Sequence, residues 1–142
     1  MSFDVLGQLN WLAVIVGTVI YFAIGAVWFT PIAFGRPWQR AIGWDSSRAT
    51  PEMNPVTYVV PAILYLVASI ATAMLATATK STTFGNGIVL GLVVGVGYAL
   101  VINANDATFD PNKREPLTWF AITGAYNLLG LLIVAVLVSV WH

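Results

Sequence analysis

Cysteine is absent from the 142-residue chain. That excludes disulfides, thiolate nucleophiles and thiolate metal ligands. Histidine occurs once, as His142, too little for a Ser-His-Asp relay or a histidine-based metal site. Charge is scarce as well: six Lys and Arg against six Asp and Glu, 8 % of the residues, where a globular protein carries ~25 %. The zero balance leaves no electrostatic footprint for nucleic acid. Twelve charges are too few for the hydrated shell of a water-soluble domain.

The chain has long apolar runs instead. It is 58 % hydrophobic, against roughly 45–50 % in globular proteins. No Asp, Glu, Lys or Arg occurs in residues 5–35, 53–79, 81–105 or 116–142. Each stretch exceeds the ~20 residues a helix needs to cross a ~30 Å hydrocarbon core. The alternation of a membrane β-strand is missing, and lipid leaves no partner for an open backbone. The expected fold is therefore all-α: a polytopic membrane protein forming one four-transmembrane-helix bundle, with helices at about 9–30, 55–79, 84–105 and 116–140. The first run is read as a retained helix, because Asp4 precedes it and no basic residue does.

Local signals set the boundaries. Thr30-Pro31 ends or bends the first helix. The loop 34–54 carries Arg36, Arg40, Asp45, Arg48 and Glu52 with Trp38 and Trp44, a composition suited to the lipid interface. Asn54-Pro55 suits a helix start, and Pro61 can kink the helix that follows. Thr82 or Thr83 is expected to cap the third helix, which should end near Asn105-Asp106. Asp110-Pro111-Asn112-Lys113 has turn chemistry, and Pro116 fits the first turn of the fourth helix. No internal repeat is evident. The two loops between helices hold Arg36, Arg40, Arg48, Lys113 and Arg114, while the terminal side holds Lys80 alone. The positive-inside rule then places both loops in the cytoplasm and both termini outside the inner (plasma) membrane.

Candidate functional residues are few. Gly87, Gly91, Gly95, Ala99 and Asn103 recur every four residues and form a ridge for close helix approach, either within the chain or as a dimer seam. Tyr21, Tyr98, Tyr126 and Asn127, with Ser69 and Thr72, are polar groups at membrane depth; burying them unpaired is costly, so they should face the bundle and bond each other. Tyr21, Tyr98, Tyr126 and Asn127 are the candidates for a substrate site. Asp106 and Asp110, with Asn103, are weak candidates for a hard cation, set against a plain solvated helix end. Lys113-Arg114-Glu115 suits contact with anionic lipid. No ionisable residue lies in a helix core, which disfavours proton-coupled transport.

Some segments look familiar. Asn10-Trp11-Leu12-Ala13-Val14, Gly25-Ala26-Val27-Trp28-Phe29-Thr30-Pro31, Phe34-Gly35-Arg36-Pro37-Trp38, Lys113-Arg114-Glu115-Pro116-Leu117 and Ala125-Tyr126-Asn127 together resemble the domain-of-unknown-function 1761 family of small bacterial integral membrane proteins. The resemblance covers nearly the whole chain and is best over its first forty residues. That family often carries Gly-Tyr-His where this chain has Ala125, Tyr126 and Asn127, so a role for a titratable imidazole does not carry over here. The resemblance implies an architecture and no activity.

Three functions fit this reading. The first is an accessory or self-associating helix-bundle protein, a homo-oligomer in contact with membrane lipids and without a cofactor. The second is a small-molecule transporter or channel built from several copies. A membrane enzyme near Asp106 is the weakest, since no nucleophile or metal set is recognisable.

Overall fold

The computed structural model describes residues 3–44 and 55–141. Asp45, Arg48, Glu52, the expected Asn54 cap and His142 lie outside them. Among the described residues every regular element is helical. A 3-10 helix, Phe3–Gln8, precedes α1, Trp11–Trp28. A short helix α2, Gly35–Ala41, follows in the first connection. Then come α3, Val56–Ala78, α4, Phe84–Phe109, and α5, Pro116–Val140. Four of these helices, α1, α3, α4 and α5, are long and apolar enough to cross a membrane.

The ends follow local chemistry. Asn10 caps α1, its side chain accepting from the Leu12 and Ala13 N–H groups. Thr83 caps α4 by accepting from the Asn86 N–H. Pro116 opens α5, where its missing N–H is not needed. Between α4 and α5 the Asp110 carboxylate accepts from the Asn112 backbone N–H, closing the turn expected from Asp-Pro-Asn. Two boundaries differ from expectation. α4 continues one turn past Asn105-Asp106 to Phe109, because no helix breaker occurs before Pro111. Within the loop 34–54, Gly35–Ala41 is helical. Gly35 cannot be replaced there, since a Cβ would strike the Phe29 carbonyl oxygen and Thr30.

The bundle is organised around its last helix. α5 packs on α4, α1 and α3, and α1 also packs on α3, whereas α3 and α4 touch little. The α4–α5 contact is the glycine ridge. A Cβ on Gly87 would lie 2.6 Å from the Val136 Cα, and one on Gly91 2.8 Å from the Leu132 Cα. Backbone meets backbone here, which only glycine permits. The ridge therefore lies inside the chain, covered by α5.

A four-residue spacing should not stay on one face. Each step overshoots an α-helical turn by about 40°, so four steps from Gly87 to Asn103 should wind through about 160°. The chain corrects this with a π-helical segment, Gly95–Leu100, in mid-span. One residue absorbed by a wide turn takes back about 100°. Asn103 and Ala107 thus remain buried, Ile102 is turned out, and Asp106 is left at the exposed edge. In a straight helix Ile102 would occupy the azimuth of Asn103, and Asp106 that of Ala107.

Deleting Val96, an outward-facing residue of this segment, should convert the wide turn to α-helix while keeping both halves of α4 in register. The expected thermal stability in detergent is close to the parent. Inserting an alanine after Val96 should instead lower it by several degrees. Equal losses in both variants would contradict the register argument.

Candidate functional site

Tyr21 on α1 and Tyr126 on α5 are 3 % and 2 % exposed. They interlock through a reciprocal arrangement of rings and glycines. The Tyr126 hydroxyl stands where a Cβ on Gly25 would be, at 2.5 Å, and the Tyr21 ring fills the corresponding place at Gly130. In each helix the glycine follows the tyrosine by four residues, so the two antiparallel helices exchange one ring for one vacancy twice. Hydrogen bonds seal the contact. The Tyr126 hydroxyl donates to the Tyr21 carbonyl at 3.1 Å, and the Tyr21 hydroxyl donates to Asn127 Oδ1 at 2.8 Å. One further bond ties the helices: Trp28 Nε1 donates to the Ile122 carbonyl at 3.1 Å.

Tyr65 on α3 completes the cluster. Its ring stacks on Tyr21 with centroids 4.3 Å apart and meets Tyr126 edge-on at 6.0 Å. Tyr65 is not among the residues expected from the sequence. It shares a helical face with Ser69 and Thr72, four and seven residues on, and that spacing was the available signal. Phe29 joins from the end of α1, edge-on to both Tyr126 and Trp38.

Of the four residues expected to form a substrate site, Tyr21, Tyr126 and Asn127 are brought together and Tyr98 is not. Tyr98 lies in the π-helical segment and is 65 % exposed on the outside of α4. The expectation that all the deep polar groups face the bundle is corrected there: the wide turn rotates the ring outward. Thr72 satisfies its hydroxyl on the Ala68 carbonyl of its own helix. The Ser69 Oγ, Asn103 Nδ2 and Thr123 Oγ1 are buried without a hydrogen-bond partner.

Beside the cluster lies a cleft of about 550 Å³ between α1, α2 and α3. Its walls are the rings of Phe22, Phe29, Trp38, Tyr58 and Tyr65. Its smaller lining residues are Gly25, Ala26, Pro31 and Pro61, and its hydroxyl-bearing residues are Thr30, Thr57, Tyr58 and Tyr65. Among the described residues no charged side chain lines it. Gly25 and Tyr65 belong to both cleft and cluster, so the cleft reaches the α1–α5 lock.

Three of the segments that carry the family resemblance, 25–31, 34–38 and 113–117, meet at this end of the bundle, whereas Asn10 lies at the other end, its Nδ2 donating to the Trp141 carbonyl. Gly25, Trp28, Phe29, Gly35 and Trp38 form the α1–α2 corner. The Glu115 N–H, at the start of α5, donates to the Ala41 carbonyl at 3.1 Å. The Arg114 side chain lies against Gly43, whose φ of +71° favours glycine.

The acidic pair is held by a cation from the same loop. Lys113 Nζ bonds Asp106 at 2.8 Å and Asp110 at 2.7 Å, and stands 4.2 Å above the Trp119 ring. Its side chain is 7 % exposed. The ammonium thus takes the position a metal ion would need between Asp106 and Asp110, and among the described residues no group of three or more metal-ligating side chains occurs. The Lys113 ammonium is thus engaged within its own loop. The Lys113 hydrogen bond and the Asn112 backbone N–H hold the Asp110 carboxyl below its usual 3.8. Desolvation opposes the charge on Lys113, but its bonds to Asp106 and Asp110 outweigh that and hold it above its usual 10.5.

The family described as "Protein of unknown function (DUF1761)" matches residues 12–139. No curated protein and no solved structure matches the chain.

Two outcomes follow from this geometry. Asn127→Leu should cost about 1–2 kcal/mol of stability, because the Tyr21 hydroxyl loses its acceptor inside the bundle. The double variant Tyr21→Phe with Asn127→Leu should recover most of that loss, as read by thermal unfolding in detergent; additive losses would refute the pairing. The loop clamp has a defined pH window. Asp110, with its pKa depressed, contributes above 3.8 and is lost as pH falls through its lower folded value. Lys113, with its pKa raised, contributes below 10.5 and is lost as pH rises through its higher folded value. The Trp119 indole resonance should therefore hold steady between these limits and move on acidification. Lys113→Met should abolish the acid response.

Proposed function

We propose a function from the premise that this chain belongs to the DUF1761 family, a membership that brings no activity with it. The protein is a membrane-embedded binding protein, and its cleft takes the apolar portion of a bilayer amphiphile. The observation that carries this reading is the 550 Å³ cleft with five aromatic rings, the hydroxyls of Thr30, Thr57, Tyr58 and Tyr65, and no charge among the described residues. Its volume falls within the ~300–1,000 Å³ of small-molecule sites. Trp38, Thr30 and Thr57 stand where α1 ends and α3 begins, so this mouth suits a polar head at the interface. Phe22 and Tyr65 lie deeper and suit a chain. The described lining is mostly apolar and aromatic, which supports a binding role.

In this reading the α2 end of the bundle faces the cytoplasm and both termini face outward. The five Lys and Arg of the two loops against Lys80 support that orientation. Transport by an assembly of several copies is the alternative, favoured by the partnerless Ser69, Asn103 and Thr123 groups inside the bundle.

Ala26 lines the cleft from an exposed position on α1, so Ala26→Trp should fill the space without touching the tyrosine lock. Protein extracted in mild detergent and examined by native mass spectrometry should carry a bound amphiphile. In Ala26→Trp the bound fraction should fall at least fivefold at unchanged melting temperature. Equal occupancy in parent and variant would refute the assignment to this cleft.

A further inference from the structure

We infer that two copies of this chain pair through the outward face of α4 at Tyr98. This inference is independent of the cleft, which lies on the α1–α3 side. α4 has one packed neighbour, α5, on its glycine face. Along its flank Leu90 and Val94 are buried, but Tyr98 and Ile102, four and eight residues beyond Val94, are both 65 % exposed. Tyr98 sits about three turns from the nearer end of Phe84–Phe109, near the middle of the span, and its hydroxyl has no hydrogen-bond partner among the described residues. A side chain cannot bridge three turns to reach the interface, and an acyl chain cannot accept or donate a hydrogen bond. A phenol left there unpaired carries the cost of a desolvated polar group.

A second copy meets this need in a way that other occupants do not. With every copy inserted in the direction that the Lys and Arg of the loops favour, a two-fold axis along the bilayer normal brings Tyr98 opposite Tyr98 at the same depth. A phenol hydroxyl both donates and accepts, and is therefore complementary to itself. Close approach is possible at the same level. Gly97 has no atom within 4 Å of where its Cβ would be, and Val93 and Val101 flank it at four-residue spacing on the exposed surface. The wide turn that aligns the Gly87–Asn103 ridge on α5 thus also presents Tyr98 and Gly97 outward.

The absence of native cysteine makes the test direct. Single cysteines at Gly97 or Val101, oxidised in native membranes, should give disulfide-linked dimers. A cysteine at Val19, equally exposed but on α1, should give little. Adding Tyr98→Phe to the Val101→Cys chain should weaken dimerisation roughly fivefold, the scale of one interhelical hydrogen bond in a membrane. An exposed ring losing one oxygen should not unfold the chain, and unchanged melting would confirm that. No excess of dimer at Gly97 and Val101 over Val19, as expected if lipid alone covers this face, would overturn the proposal. So would a dimer yield indifferent to Tyr98→Phe.

Discussion

Hydrocarbon offers no hydrogen bonds, and the structure depends on how each deep polar group meets that condition. The tyrosine lock between α1 and α5 is the central solution. Two phenols donate to acceptors on the facing helix, one a main-chain carbonyl and the other the Asn127 amide. Each ring lies over a glycine of the opposite helix. Helices in lipid gain little from burying apolar surface, because acyl chains are as apolar as leucine. Shape and polar pairing are left to hold the bundle together. The ring-for-vacancy exchange supplies the first and the paired hydroxyls the second.

The same economy governs the contact between α4 and α5. There the approach is backbone against backbone along Gly87 and Gly91. A ridge of four-residue period would leave its face within a few turns, so the helix carries a π-helical segment that returns it. This irregularity links three features that look unrelated in the sequence: Asn103 buried, Ile102 in lipid, and Asp106 free to meet Lys113.

Much of the architecture was legible from residue order, because its causes are local. Four uncharged runs mark four spans, Thr83 and Pro116 mark helix starts, and Asp110-Pro111-Asn112 marks a turn. The site was legible in part. Tyr21, Tyr126 and Asn127 were found as deep polar groups. Tyr65 and the outward turn of Tyr98 were not found. In a water-soluble helix the polar face reveals the buried one, but here both faces are apolar and the contrast disappears. The position of Tyr98 depends on one wide turn, and no residue type in Gly95–Leu100 announces such a turn.

One consequence concerns biogenesis. α5 is the scaffold on which α1, α3 and α4 are arranged, yet it is the last of the four to leave the ribosome. The three earlier helices enter the bilayer before their common partner exists, with Gly25, Gly87 and Gly91 bare to lipid and the Tyr21 hydroxyl without its acceptor. α1 and α3 also touch each other and can meet early, but the docking of α4 must wait for insertion of the fourth segment. Quality control in the membrane would meet, in every unfinished chain, inserted helices lacking the centre that joins them.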